Sequence, residues 1–103
     1  MAHDKEALMD ILFLVSRTES APLLRGFLRA CERRQIECGC FFTGPAAQLA
    51  SDPEIIACLH AGPGSAVCEY SWERFGRGQC PIPLGSQTDN SAMTAAARRI
   101  VSL

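Results

Sequence analysis

Cys68 combines a reactive side chain with a place in the chain that could activate it. It follows the apolar residues Ala66 and Val67, which predict a strand, and it precedes Ser71, a residue type that favours the start of a helix. Backbone N–H groups at the start of a helix stabilise a thiolate, and the guanidinium of Arg74 could add positive charge. A thiolate in this place would be a nucleophile able to accept sulfur and pass it on.

The same cysteine also has a plain structural interpretation. Glu69 and Glu73 are as close in the chain as the arginine, and their charges would raise the pKa of the Cys68 thiol. Free cysteine is among the most buried residue types, so a cysteine at the end of a strand can simply fill the core. The spacing alone leaves both interpretations of Cys68 open.

Cys80 is a second candidate thiol. Close to Cys68 it could resolve a persulfide into a disulfide, as the second cysteine of a redox pair does. Alternatively, it is a half-buried residue at the start of the next strand. A disulfide requires Cα atoms within roughly 7 Å of each other, a distance that the sequence does not fix.

The remaining cysteines supply the ligand types of zinc or of an iron–sulfur cluster. They are Cys31, Cys38, Cys40 and Cys58, with His60 nearby in the chain. Structural zinc sites usually hold pairs of ligands spaced by about two to four residues on loops, whereas Cys38 and Cys40 fall in an apolar strand. We therefore expect no metal and a core role for most of the four. A metal-binding or redox-sensing domain built on Cys38 and Cys40 stays the main alternative.

The composition bounds the partners that the chain could have. Its 103 residues, 48% hydrophobic and 20% charged, suffice for about one globular domain. A net charge of −1 gives no general attraction to nucleic acid or anionic lipid, so neither is expected as a partner. The longest apolar run, residues 11–15, is far shorter than the ~20 residues of a membrane-spanning helix. Because no signal-peptide pattern precedes or follows it, we expect a cytoplasmic protein.

Strand-like and helix-like segments alternate along the chain. Strands are predicted at 11–15, 36–42, 65–69, 81–85 and 100–103, and helices after Ser20, after Asp52, at Ser71 and at Asp89 or Ser91. This alternation predicts an α/β fold: a three-layer, open, mostly parallel sheet of about five strands with helices on both faces. Residues 1–103 would form a single domain, frayed over residues 1–7.

The predicted fold also says where chemistry should occur. In an open α/β sheet, ligands and reactive groups collect at the carboxyl ends of the strands, which is where Cys68 lies. The polar segment 16–20 ends the first strand in the same way, but it holds no glycine and so lacks a dinucleotide-binding fingerprint. We therefore expect no nucleotide or flavin cofactor.

The segment from Ala66 to Gly76 resembles the cysteine segment of the DsrE/TusD family of intracellular sulfur-relay proteins. In that family an apolar strand leads into a cysteine, with an arginine six positions on and a glycine eight on, and Arg74 and Gly76 stand at those offsets from Cys68. Three further segments are similar to the family's second strand and turn, to the end of its fourth strand, and to its closing strand: 41–44, 83–85 and 97–103. The stretch between the cysteine helix and the fourth strand, residues 77–80, is shorter than in the family.

The resemblance implies a function as well as a fold. Family members are α/β proteins, typically trimers or hexamers of related subunits, and their cysteine carries a persulfide that passes between partner proteins. Carried over by position, Cys68 would hold the sulfur, Arg74 would support its charge, and sulfur-donor and sulfur-acceptor proteins would be the partners. No cofactor is implied. Some related subunits support a relay complex without transferring sulfur, and that structural role is a further alternative.

Overall fold

The computed structural model describes residues 9–59 and 64–103, so the expected fraying of residues 1–7 and the side chain of His60 lie outside the described residues. Within those two ranges the chain forms β1 (Met9–Val15), α1 (Ala21–Arg33), β2 (Cys38–Phe42), α2 (Pro53–Cys58), β3 (Ser65–Cys68), α3 (Glu69–Phe75), β4 (Leu84–Gly85), α4 (Gln87–Ala96) and β5 (Ala97–Ser102). Short 3₁₀ segments at Thr18–Ser20 and Gly44–Ser51 complete these elements. Among the described residues, no helix has the length and apolar character needed to span a membrane.

The described strands make one parallel sheet in the order β4-β3-β2-β1-β5. Its register places Leu12 beside Gly39 and Phe42 beside Val67, and Cys68 beside Gly85 near the β4 edge. The predicted three-layer α/β architecture is confirmed. The sheet is parallel at every described pairing rather than mostly so, because each described strand is joined to the next through helical or 3₁₀ segments.

Two apolar cores lie on opposite faces of the sheet. We call the face covered by α1, α2 and α3 the front face, and its core includes Phe13, Leu24 and Trp72. We call the face covered by α4 the back face, and its core includes Leu12 and Met93. Successive strand residues point to opposite faces, which is why the uninterrupted apolar run of β1 is needed to fill both cores.

Helix α1 follows its predicted pattern and ends in a tight reversal. Leu24, Leu28 and Cys31 are buried at 3-4 spacing, which seats one stripe of the helix on the front face. After the last turn, Gln35 adopts a φ of 57°, and the Ile36 N–H donates to the Cys31 carbonyl oxygen at 2.8 Å. This reversal returns the chain directly to the sheet at the start of β2.

Two predicted helix starts were wrong. Helix α3 begins at Glu69 with Cys68 as its N-cap residue, so Ser71 lies in the first turn instead of capping it. Helix α4 is capped by Ser86, whose hydroxyl accepts a hydrogen bond from the Asp89 N–H while the Asp89 carboxylate accepts one from the Ser86 N–H. This reciprocal capping box satisfies two backbone donors, which places the helix start before Asp89.

The start of the last strand was also predicted too late. The strand was predicted at 100–103, but α4 ends at Ala96 and β5 begins at Ala97. Ala97 pairs with Met9 and Arg99 pairs with Ile11 of β1. Pairing along the whole of β1 therefore overrides a local helix propensity that is worth only tenths of a kcal/mol per residue.

Candidate functional site

Cys68 lies where β3 meets α3, at the carboxyl edge of the sheet. Its side chain is 8% exposed and contributes to the back-face core, while Val67 before it points to the front face. Trp72, one turn into α3, is buried in the front-face core, and its indole N–H donates to the Gly78 carbonyl oxygen at 3.1 Å. This anchor fixes the first turn of α3, and with it the backbone around the thiol.

The Ser71 hydroxyl connects Cys68 to the end of β2. Its oxygen accepts a hydrogen bond from the Gly44 N–H at 2.8 Å, and the hydroxyl lowers the pKa of the Cys68 thiol. Gly44 has a φ of 57°, a left-handed conformation that glycine adopts without strain and that turns the chain into the 3₁₀ segment Gly44–Ser51. Because the oxygen of Ser71 is already occupied as an acceptor, its proton is free to serve the sulfur.

The surroundings of Cys68 favour its thiolate. Burial acts to raise its pKa, but hydrogen bonds from the Ser71 hydroxyl and from the backbone N–H groups of Ser71 and Tyr70 outweigh that effect. The negative charge of Glu69 opposes them more weakly, and the net result is a pKa below the ordinary value of 9.0. A buried sulfur with converging donors is a stabilised nucleophile and, by the same interactions, a good leaving group.

Arg74 lies in the last turn of α3, away from the start of the helix where Cys68 is found. It is exposed, and its guanidinium carbon sits 5.4 Å from the centre of the Phe75 ring, a cation–π arrangement. The charged side chain that acts on the thiol is Glu69. The supporting role of Arg74 stays a prediction. The causes that lower the pKa of the Cys68 thiol are hydrogen bonds.

Cys80 packs on the other side of the sheet from Cys68. Its half-buried side chain contacts the front-face core, whereas Cys68 belongs to the back-face core. Burial raises the pKa of the Cys80 thiol, although a hydrogen bond from the backbone of Ile82 acts in the opposite direction. Both thiols are free, and the structure does not bring them together as a pair.

The other cysteines gather on the front face beneath α1. Cys31 and Cys40 are buried in that core, and Cys38 and Cys58 are half-buried against it. Within residues 9–59 and 64–103, no three or more His, Cys, Asp or Glu side chains are arranged to hold a metal ion. The proposed fifth ligand, His60, lies outside the described residues.

A cavity of about 440 Å³ opens on the back face, towards the amino ends of the strands. Ala66, Gly85 and Met93 are among its lining residues, and Asp89 stands at one side. Cys68 does not line it. The thiol therefore lies at the carboxyl edge of the sheet, two residues before the exposed Tyr70, and outside the lining of the cavity.

Two features of this site could not be predicted from the sequence: the effect of the Ser71 hydroxyl on Cys68 and the hydrogen bond from Gly44 to Ser71. Ser71 was expected to cap a helix, a role that fits the residue type equally well. Gly44 was expected only to break a strand, and its N–H reaches a side chain 27 positions further along the chain. A contact of that separation depends on the tertiary fold, although the Thr43-Gly44-Pro45 turn did mark where β2 ends.

A scan against protein-family models, a search of curated proteins and a search of solved structures found no match to this chain. The fold and the site are those of an α/β protein with a buried cysteine of lowered pKa at the carboxyl edge of a parallel sheet. The similarity to DsrE/TusD proteins rests on the short segments quoted above.

Proposed function

We propose that this protein is a sulfur carrier that holds a persulfide on Cys68 and passes it to a partner protein. The observation that carries the proposal is the place of Cys68 as the N-cap residue of α3 at the carboxyl edge of the sheet, where hydrogen bonding by the Ser71 hydroxyl and by the backbone of Ser71 and Tyr70 lowers the pKa of its thiol. A core cysteine needs no such donors, whereas a thiolate nucleophile does. The position at the carboxyl edge of the sheet is also the usual place for reactive groups in this architecture.

The proposed reaction has two thiol-exchange steps. The Cys68 thiolate attacks the outer sulfur of a donor persulfide, forms Cys68–S–SH, and releases the donor thiolate. An acceptor thiolate then attacks the outer sulfur, and the bond to Cys68 breaks with the electron pair returning to the Cys68 sulfur. Both steps conserve electrons overall, so no external oxidant or reductant is required. The three donors stabilise the Cys68 thiolate before the first step and after the second.

The partners proposed for this chemistry are proteins. Tyr70, two residues after Cys68, is 72% exposed, and Leu84, which pairs with Val67 on the neighbouring strand, is 52% exposed. Exposed aromatic and apolar side chains next to a reactive group suit a protein that docks over the thiol. We accordingly propose donor and acceptor proteins, a cytoplasmic setting, and assembly into a homo- or hetero-oligomer such as a trimer or hexamer.

A second candidate is a structural subunit that supports a relay complex without carrying sulfur. The low exposure of Cys68, 8%, supports this alternative because a cysteine that only fills the core is buried to the same extent. The two candidates differ in one property, since only the carrier requires the Cys68 sulfur to react.

Intact-protein mass spectrometry after brief exposure to polysulfide tests the proposal. The parent should gain one or more sulfur atoms that a thiol reductant removes, Cys68→Ser should gain none under the same exposure, and Cys80→Ser should behave as the parent does. Equal uptake by the parent and Cys68→Ser would contradict the carrier role. No uptake by the parent would favour the structural subunit.

A further inference from the structure

Strand β5 forms an open edge of the sheet. Among the described strands it pairs with β1 alone, so its other side carries no partner strand. Leu103, the residue after β5, donates its N–H to the Leu14 carbonyl oxygen and accepts from the Ser16 N–H, so both of its backbone groups point towards β1. Successive residues of a strand direct these groups to opposite sides. Three residues of β5 therefore direct theirs to the open side: Arg98, Ile100 and Ser102.

The opposite edge of the sheet is closed to a further strand. Strand β4 is only two residues long, Pro83 precedes it directly, and Pro81 lies two residues earlier. Proline has no N–H to donate, so such an edge cannot serve as a template for pairing. Strand β5 has six residues and no proline. A second copy of this chain therefore offers one described edge that can extend the sheet, its own β5, and two identical edges meet about a two-fold axis.

Apolar side chains lie beside the open edge on both faces of the sheet. Ile100 is exposed, and the β1 residue that pairs with it belongs to the back-face core. On the front face, the exposed Phe27 of α1 stacks on Phe13, the β1 residue that pairs with Val101. Leu23, one turn before Phe27, is exposed as well. A second copy at this edge would cover apolar surface that a single chain leaves in water.

We propose that two copies of this chain pair β5 with β5 in antiparallel orientation, about a two-fold axis at Ile100, and so join their sheets into one. Ile100 then exchanges hydrogen bonds with its own copy, and Arg98 does so with the partner's Ser102. An axis at Arg99 would set the two Arg99 side chains directly opposite each other, which destabilises a sheet, whereas the axis at Ile100 separates them to roughly 7–8 Å. An axis at Val101 would leave the outward groups of Arg98 unpaired.

The second arginine of β5 does not oppose this pairing. Charged side chains on an edge strand often prevent association. The guanidinium of Arg98, however, lies 3.6 Å from the Asp10 carboxylate of β1, so its charge is compensated within its own chain. In the proposed register its neighbour across the axis is the partner's Ser102, a neutral residue.

The pairing rests on no part of the sulfur-carrier proposal. Cys68 is on β3, which is separated from β5 by β2 and β1. Both Cys68 thiols would therefore lie in the outer parts of the joined sheet, away from the axis. Sulfur uptake by Cys68 and assembly through β5 can fail separately.

Analytical ultracentrifugation over a range of protein concentrations tests the assembly. The parent is expected to form a dimer, and Ile100→Arg, which sets two cations opposite each other at the axis, should weaken it at least tenfold. Leu84→Arg makes the same change at the closed edge, where Leu84 is 52% exposed against 44% for Ile100, and should leave the dimer unchanged. A parent that stays monomeric, a parent that forms trimers without a dimer, or a dimer that Ile100→Arg leaves intact would overturn the proposal.

Amide hydrogen exchange on the parent locates the contact without any variant. The N–H groups of Arg98, Ile100 and Ser102 should be protected only at concentrations where the dimer forms, because each then donates across the axis. Leu103 is the internal control, since its N–H donates to Leu14 within the chain and should be protected at every concentration. Protection of the three amides in the monomer would show that the same chain covers its own edge. That result, or three unprotected amides in the dimer, would overturn the proposal.

Discussion

At the scale of single residues, the proposed activity depends on how one hydroxyl is shared. Ser71 accepts from the Gly44 N–H and offers its proton to Cys68, so it links the ends of two neighbouring strands through the reactive sulfur. The causes that lower the pKa of Cys68 are hydrogen bonds from neutral groups, and a supporting role of Arg74 stays a prediction. Donors fixed by the backbone hold their orientation better than a long, exposed side chain does.

Replacing Ser71 with alanine should raise the pKa of Cys68. The change removes the hydroxyl donor, which is the largest of the effects that lower this pKa, and leaves the backbone N–H groups in place. The pH profile of Cys68 alkylation by iodoacetamide, followed on its own peptide, should shift towards higher pH. Ser91→Ala, an exposed position on α4, is the matched control and should leave the profile unchanged. A profile that Ser71→Ala does not move would remove Ser71 from the site.

Cys38 should make the free energy of unfolding fall at alkaline pH. Its folded-state pKa, about 12, lies above the ordinary value of 9.0, so between these values the unfolded chain loses the proton that the folded chain keeps. Its contribution to stability is complete below about 9 and is lost progressively as the pH approaches 12. Urea unfolding across this range should show a shallower decline for Cys38→Ala than for the parent. Parallel declines would mean that Cys38 titrates normally in the folded state.

At the scale of elements, the short helix α3 is held by contacts that lie outside it. Trp72 anchors it to the front-face core and to the Gly78 carbonyl, and the backbone of Gly76 lies flat against the indole ring. Gly76 stands eight positions after Cys68. A glycine is needed there because a Cβ would overlap the indole ring of Trp72. Helix α2, only six residues long, instead depends on Asp52, which caps it and bonds Arg25 of α1 at 2.6 Å.

A side chain at position 76 should displace the tryptophan anchor. A Cβ built there would overlap the indole ring of Trp72, so Gly76→Ala forces the ring or the backbone to move, at a cost of about 1–3 kcal/mol. Urea unfolding should show this loss together with a change in tryptophan fluorescence. Gly26→Ala is the matched control: the position is in α1 with open space around it, and the change should be neutral or stabilising by up to ~1 kcal/mol. Equal stability of the two variants would contradict the packing described for Gly76.

Some of these elements could be predicted from the sequence and others could not. The strand before Cys68 and the amphipathic α1 followed from apolar spacing, which depends on nearby residues only. The capping box of Ser86 and Asp89 is visible in the sequence as a serine followed three residues later by an acid, but Asp89 and Ser91 are capping residue types as well and predict a later start. The start of β5 at Ala97 depended on pairing with β1, and the reversal after α1 depended on a left-handed Gln35, a conformation that this residue type does not predict.

At the scale of the whole molecule, the two faces of the sheet are unequally covered. Among the described residues, three α-helices pack on the front face, while α4 alone covers the back face and buries a single residue, Met93. The back face also carries Cys68 and the 440 Å³ cavity. The proposed site therefore lies on the less covered side, where a partner protein has room to approach.

Met93 should matter more than its place on a mostly exposed helix suggests. Met93→Ala would remove the contact that seats α4 on Leu12 and Phe41, and buried Met-to-Ala changes cost about 2–5 kcal/mol. The loss should appear as a lower urea midpoint. Thr88→Ala, exposed on the same helix, should change stability by no more than about 0.5 kcal/mol. A Met93 variant as stable as the Thr88 variant would show that α4 is held by other contacts.

The most direct test of the sulfur-carrier account lets the six cysteines of one chain compete for a limiting amount of polysulfide. After alkylation, chymotryptic cleavage at Leu59 and Tyr70 isolates Cys68 from every other cysteine, so the sulfur on its peptide can be compared with that on the rest. If Cys68 is the sulfur carrier, the added sulfur near pH 7 should be found predominantly on Cys68, because the pKa of its thiol is lowered. Burial raises the pKa of four of the other thiols, those of Cys38, Cys40, Cys58 and Cys80. Sulfur spread evenly over the accessible cysteines, or concentrated on one of the others, would contradict the sulfur-carrier account.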